Sequence, residues 1–391
     1  MPRLKYVVLF LVIASLGAGF WLYQRPLPTL QAEVVVPQSP ASKPIKLPWP
    51  AYGQAAFGAV GYGVLEKNKT SKPVPIASIS KAIAALSILR QKPLEPGQQG
   101  PAITITEADV QLYRDYLAKD GSVVPVSAGQ QINQYQALQA MLLPSANNMA
   151  DTAVRWAFGS INEYTDYANQ FVKILGMTQT TVADASGFSP KTVSTAEDLV
   201  KLGEAVLENP ILAEIVNQST ANLPSIGVIN NVNWLLGTDG ILGIKTGNTD
   251  EAGGCYLFGA KRTIAGQSVT VIGAILGAPE RNIAMQDSLS LIQASNRGFE
   301  TITAVKAGQI VGRYNLPWGG STEAVASSEI KLLNWKGKTL VLDTDLSDLQ
   351  SPKVENYQVG SISSATDNAK TTTVVLKQPI SSPSWTWRIF R

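Results

Sequence analysis

Three short runs in this chain hold side chains able to do chemistry: Ser78-Ile79-Ser80-Lys81, Ser145-Ala146-Asn147 and Lys245-Thr246-Gly247. There is no histidine anywhere in the sequence. A serine hydroxyl is a weak nucleophile at neutral pH and needs a neighbouring base, usually imidazole. Lys81 is the natural replacement, because on a helix residues three apart share a face and their heads reach hydrogen-bond distance. Its sequence neighbours Ala77, Ile79, Ala82, Ile83 and Ala85 offer no carboxylate. Desolvation without a counter-ion lowers a lysine's pKa and favours the neutral amine that can accept the serine proton. A helix starting near Ser78 would also aim backbone N–H groups at a developing oxyanion.

Each run has a quieter reading. Ser328-Glu329-Ile330-Lys331 repeats the first pattern in a charged, strand-like setting, and Ser160-Ile161-Asn162 imitates the second. Lys245 could be a surface lysine before a turn, Ser145 the N-cap of a helix beginning at Asn147, and Asn147 a turn former. Order and context separate the runs from their imitations. The Ser78 copy opens an apolar helix, Ser145 follows Leu142-Leu143-Pro144, and Lys245-Thr246-Gly247 occurs once.

The elements that must position these residues are legible from period and punctuation. Ala55 to Val60 and Tyr62 to Leu65 read as an antiparallel pair, followed by a polar turn from Glu66 to Ser71. Ala77 to Leu89 is apolar nearly all round and reads as a buried central helix. Helical patterning dominates from Ile103 to Asn209, with segments at Tyr135 to Leu143, Asn148 to Phe158, Ile161 to Leu175 and Ala196 to Leu207. Gly254 to Ala260 and Ser268 to Leu276 form a hairpin pattern around Ala265-Gly266, and a helix from Pro279 to Phe299 follows. The pattern predicts an α+β fold with a helical subdomain beside an antiparallel sheet and the cleft between them. Beyond Thr303 the runs Val305 to Val311, Lys331 to Leu333, Thr339 to Leu342, Val354 to Tyr357 and Thr373 to Leu376 predict a small β domain. The terminal Trp385 to Arg391 pairs aromatics with arginines and reads as a final strand with alternating exposure, being short for an amphipathic helix, with contact at a membrane interface as the alternative.

At 391 residues the chain exceeds one typical core. Its boundaries are expected at 1–24 for an N-terminal signal or anchor, 25–50 for a linker, 51–302 for a catalytic domain and 303–391 for the β domain. Arg3 and Lys5 precede a run from Tyr6 to Tyr23 without a charge, long enough to cross a bilayer. The best downstream cleavage candidate, Leu30-Gln31-Ala32, has a bulky leucine where a small residue is preferred, so the segment reads as an export signal kept as an anchor. Prolines at 26, 28, 37, 40, 44, 48 and 50 predict an extended spacer. A net charge of +3 without a basic stripe argues against nucleic acid as a partner. One cysteine, Cys255, and no histidine argue against a metal or any other cofactor, and Cys255 itself reads as a small buried residue on a strand.

Taken together, the three runs resemble the active-site motifs of the penicillin-recognising serine enzymes. The stretches Ile76 to Ala85, Pro144 to Ala153, Asp184 to Pro190 and Lys245 to Tyr256 are similar to those of low-molecular-mass D-alanyl-D-alanine carboxypeptidases. The resemblance covers about Ala51 to Phe299 and departs at Asn148, where that group commonly has an acidic residue. It implies a penicillin-binding, serine β-lactamase-like domain acting on peptidoglycan stem peptides and inhibited by β-lactam antibiotics, which agrees with the N-terminal segment's reading as a membrane anchor that places the folded part outside the cytoplasm. It further implies that Ser78 attacks the carbonyl between two terminal D-alanines, Lys81 takes its proton, and Ser145 relays a proton to the departing amine. Asn147 would hold substrate or Lys81, Lys245 and Thr246 the terminal carboxylate, and the backbone N–H groups of Ser78 and Asn248 the oxyanion. Gly247, lacking a Cβ, would let the peptide lie close to the strand. Asp184 to Pro190 is expected as a shaped loop beside the cleft. The alternatives are a β-lactamase, for which no Glu-x-x-Leu-Asn type loop is found, a D,D-endopeptidase, or a non-catalytic penicillin-binding sensor.

Overall fold

The computed structural model describes residues 2–35, 42–69, 72–350, 352–364 and 370–391. Tertiary contacts divide the chain into Ile45–Phe299 and a second unit made of Met1–Pro44 together with Glu300–Arg391. Helix α1 (Pro2–Gln24) and strand β1 (Ala32–Val34) open the second unit.

Within Ile45–Phe299, strands β2 (Gln54–Ala59), β3 (Gly63–Lys67), β4 (Ile241–Thr249), β5 (Gly253–Ile264) and β6 (Gln267–Ala278) form an antiparallel sheet in the order β4-β5-β6-β2-β3. The two expected hairpins are both present, while Thr70 and Ser71 of the expected polar turn lie outside the described residues. A single 3-10 turn, Ala77–Ile79, leads into α2 (Ser80–Gln91), whose residues Ser80 to Leu89 are all buried. Around it stand α3 (Glu107–Leu117), α4 (Gln134–Leu142), α5 (Asn147–Phe158), α6 (Ile161–Ile174), α7 (Ala196–Glu208) and α8 (Pro210–Val216). Helix α9 (Arg281–Gly298) packs on β5 and β6.

Local chemistry starts most of these helices where they start. Thr106 with Asp109 and Asn133 with Gln136 make reciprocal capping boxes on α3 and α4. Ser160 and Thr195 cap α6 and α7, and Asn209 caps α8 ahead of Pro210. Helix α7 approaches the sheet through Gly203, where a Cβ would fall 2.7 Å from Ile272 and 3.1 Å from Leu257. Alternate strand residues, Leu257, Ile272, Ala274 and Leu276, thereby join the core that α2 fills with Ile79, Ile83 and Ala84.

In the second unit β1, β7 (Ile310–Asn315), β8 (Ser321–Ala326), β9 (Leu342–Leu346), β10 (Gln358–Ser364) and β11 (Thr371–Leu376) form a six-stranded antiparallel sheet among the described residues, in the order β1-β7-β8-β11-β10-β9. Its core includes Leu30, Val311, Tyr314, Ile362 and Val374. The expected spacer is corrected here. Ala32, Glu33 and Val34 pair with Tyr314, Arg313 and Gly312, and Leu30, 1% exposed, exchanges backbone hydrogen bonds of 2.8 and 3.0 Å with Leu349. Pro26 and Pro28 fall before the strand, where no ladder donor is needed, so their presence does not exclude pairing. Pro37 and Pro40 lie outside the described residues.

Three further expectations are corrected in this unit. Val305 to Val311 is not one run, because the chain turns between Val305 and Ile310 with Gly308 at φ +76. Val354 to Tyr357 precedes β10 rather than forming a strand. The last segment is a helix, α10 (Trp385–Phe390), because the Ser384 hydroxyl accepts from the Trp387 backbone N–H. It packs on α1, and its basic residues tie down the end of that helix: Arg388 donates to Tyr23 O at 3.1 Å and Arg391 to Arg25 O at 2.7 Å.

Candidate active site

The nucleophile candidate sits on a strained turn. Ala77 holds φ +46, outside the comfortable range of an alanine, and Ser78 follows it half-buried. Gly187 (φ +74) locks this shape, since a Cβ there would come within 1.8 Å of the Ala77 carbonyl oxygen. Strand β4 passes the other side. A Cβ on Gly247 would lie 3.1 Å from the Ser78 nitrogen and 3.0 Å from Ile76 O, so the missing side chain makes room for the protein's own turn.

Lys81 is fully buried beneath Ser78. Its Nζ lies 2.9 Å from Ser78 Oγ, 2.7 Å from Asn147 Oδ1 and 2.8 Å from Ser186 O. The two carbonyl oxygens can only accept. A neutral amine has two N–H bonds and one lone pair; with both N–H groups spent on the carbonyls, the lone pair faces the Ser78 hydroxyl. Burial lowers the Lys81 pKa to about 7, although Asp184 and Asp151 pull it back upward. The expectation that no carboxylate lies near Lys81 thus holds only for its sequence neighbours. Two acids reach it through space.

Ser145 is held at φ +66, also unusual for a side chain with a Cβ. It does not cap α5, whose N-cap is Ala146 without a side-chain hydrogen bond. Its hydroxyl instead accepts from Lys245 Nζ at 2.9 Å. Lys245, 2% exposed, also donates to Thr246 O at 3.1 Å. Burial, then repulsion from Lys81 and Arg281, holds its pKa well below the ordinary lysine value. A buried amine set among cations is a site that an anion would charge and neutralise. Thr246 is buried beside it, while Asn248 is exposed and lines a 470 Å³ cleft with Ser78, Asn147 and Phe188.

Sequence reasoning located the three runs, Asn148 and the Asp184 to Pro190 loop, but not the contacts by which these support the site. Asn148 is fully buried and grips one residue of the facing loop twice, accepting from Val124 N at 3.1 Å and donating to Val124 O at 2.9 Å. Asp184 shapes its loop by accepting from Phe188 N at 2.8 Å, Ser189 N at 3.2 Å and Ser186 Oγ at 2.9 Å. That fold delivers the Ser186 carbonyl to Lys81. The imitations dissolve: Lys331 pairs with Glu329 at the surface, and Ser160 Oγ accepts from Glu163 N as an ordinary cap. Cys255 is buried on β5, its thiol pushed up to about 12.

Comparisons with known proteins point to one family. The sequence model of peptidase S11, the D-alanyl-D-alanine carboxypeptidases, matches residues 60–280. The D-alanyl-D-alanine carboxypeptidase DacC of Escherichia coli is 27% identical over 191 residues, covering 48% of this chain and 47% of that protein. A D-alanyl-D-alanine endopeptidase of Pseudomonas aeruginosa is 28% identical over 207 residues, covering 50% and 62%. The matched stretches thus span about half to three-fifths of the length of these relatives. Penicillin binding protein 5 from Haemophilus influenzae superposes with a TM-score of 0.63 at 18% identity, over 86% of this chain and 100% of that one. PBP3 from Streptococcus pneumoniae gives 0.63 at 20% identity, over 84% and 98%. At these identities the structures establish the α+β penicillin-binding fold alone. The family match covers more than half of the chain and holds all three runs, and the chain therefore belongs to the peptidase S11 family of D-alanyl-D-alanine carboxypeptidases.

Proposed function

We propose that the protein is a serine-type D-alanyl-D-alanine carboxypeptidase that removes the terminal D-alanine of peptidoglycan stem peptides through an acyl-enzyme on Ser78, and that penicillin traps the same serine. The observation that carries this reading is the Lys81 amine, placed 2.9 Å from Ser78 Oγ with its other hydrogen-bonding capacity used by Asn147 and Ser186. In this reading Lys81 takes the hydroxyl proton as Ser78 Oγ bonds to the carbonyl carbon, and the Ser78 and Asn248 backbone N–H groups stabilise the oxyanion. Ser145 passes a proton to the departing D-alanine amine, and Lys245 with Thr246 receives the terminal carboxylate. Water then attacks the ester and restores Ser78.

The test is mass spectrometry of the purified protein with penicillin and, separately, with a peptide ending in D-Ala-D-Ala. Wild type should gain one penicillin mass and release D-alanine, and Ser78→Ala should do neither. Acylation without any D-alanine release would instead favour a sensor, and rapid penicillin turnover a β-lactamase. Endopeptidase action is the second reading, because a relative of that name matches at comparable identity. A cross-linked stem-peptide dimer separates the two, since only an endopeptidase divides it.

The family and α1 both support a reading of where the protein acts. Residues Leu4–Gln24 form a helix long and apolar enough to cross a membrane, and its side chains are exposed rather than covered by protein. The reading places the catalytic unit outside the cytoplasm, anchored by α1. Full-length protein should stay with membranes through an alkaline carbonate wash, and its recovery in the supernatant would count against the anchor.

A further inference from the structure

Helix α5 carries a second acid toward the site, one turn beyond the residue that holds Lys81. Asn147 and Asp151 stand four apart, so they share a face of the helix. Asn147 Oδ1 accepts from Lys81, while Asp151, 7% exposed, accepts the Tyr116 hydroxyl of α3 at 2.9 Å. The same hydroxyl lies 3.4 Å from Ser186 Oγ, and the Ser186 carbonyl accepts from Lys81. Among the described residues no lysine or arginine nitrogen comes within 4.0 Å of the Asp151 carboxylate. A buried carboxylate without an ion-pair partner is costly to keep, so its presence here needs a reason.

The geometry points to Asp151 as a positioning residue whose negative charge, one helical turn beyond the Asn147 that holds Lys81, steadies the Lys81 ammonium through space. This inference rests on the reading of Lys81 as the base. The charged and titratable groups around Asp151 are Lys81 on α2, Tyr116 and Asp109 on α3, Tyr164 on α6, Asp184 on the adjoining loop and Arg155 on its own helix. Asp109 is occupied by Thr106 and Thr152, and Asp184 by its loop backbone. Lys245 repels Lys81 from β4. Burial and the neighbouring Asp184 charge raise the Asp151 pKa to about 6, against the Tyr116 hydrogen bond, which favours the ionised form. Near neutral pH Asp151 is therefore mostly anionic and steadies the Lys81 ammonium. Removing that charge should make Lys81 lose its proton at lower pH.

The test is the second-order rate of Ser78 acylation by penicillin followed by intact mass from pH 5 to 9. The rate should rise through the Lys81 pKa in wild type. In Asp151→Asn the rising limb should move down by at least about half a pH unit with the upper plateau within about threefold of wild type. Asp151→Ser, smaller and equally uncharged, gives the same reading if the amide does not fit. Asp151→Glu restores the charge and should return the limb to the wild-type pH. An uncharged variant with an unmoved limb overturns the inference, as does a glutamate variant that shifts as far as the asparagine. No acylation of wild type at any pH would instead overturn the assignment of the site itself.

Discussion

The Lys81 cage makes a prediction with a definite sign. The reactive form is the neutral amine, and burial brings the folded-state pKa to about 7, so acylation and D-alanine release should fall as pH drops below about 7 and level off above it. Lys81→Ala should cost on the order of 10²- to 10⁴-fold in acylation rate, the usual worth of a general base. Retained turnover in that variant would remove Lys81 from the mechanism. Asn148 gives a second test at this scale. Its side chain both accepts from and donates to Val124, which a carboxylate cannot do. Asn148→Asp, although it installs the residue type common in the resembling group, should destabilise the catalytic unit by about 1–3 kcal/mol, read as a lower urea midpoint. Unchanged stability would mean that the clamp carries little energy.

At the scale of elements, the two helices that start just after Ser78 and Ser145 do so without a side-chain cap. Helices α3, α4, α6, α7 and α8 start with one, and α9 without. Ahead of α2 and α5, Ser78 and Ser145 turn their hydroxyls to Lys81 and Lys245 instead. A cap is typically worth about 1 kcal/mol, a stability the two helices forgo and recover through tertiary burial. Capping alone does not decide what is legible in the chain: the apolar periods of α2, α4, α5, α6, α7 and α9, the paired hairpins and the order of the three runs are local signals, whereas the short capped helix α8 carries too few turns to show a period. Asp151, Asp184 and Ser186 act on Lys81 only after the helices assemble, so nothing near Lys81 in sequence announces them. Strand β1 was hidden for the same reason: three residues between prolines carry no period, and pairing with β7 supplies the structure. Helix α10 did have a local signal, Ser384 ahead of an aromatic run, which was outweighed by the alternating pattern. Leu30 tests the role of β1. Leu30→Ala should cost the second unit about 2–5 kcal/mol, seen as faster hydrogen exchange in β1, β7 and the Leu349 region, while penicillin acylation at Ser78 stays unchanged. Slow exchange in the variant would show that the N-terminal strand adds little.

At the scale of the whole molecule, the catalytic unit is an insertion. The chain leaves one folded body near Pro44, builds Ile45–Phe299, and returns at Glu300 to finish the body it left. The chain therefore passes twice between the units, and the piece that carries α1 is held in the second unit by β1 and Leu30 as well as by covalent continuity. An engineered protease site at residue 45 tests this. After cutting, the penicillin-labelled portion should remain with membranes under native conditions and leave them only when denaturant is added. Its departure on cutting alone would show that β1 does not hold. If it stays, and α1 anchors the protein as proposed, release of the catalytic unit from a membrane needs two events, a severed backbone and a melted six-stranded sheet, and its rate becomes a matter of unfolding rather than of how many proteases can reach the cut site.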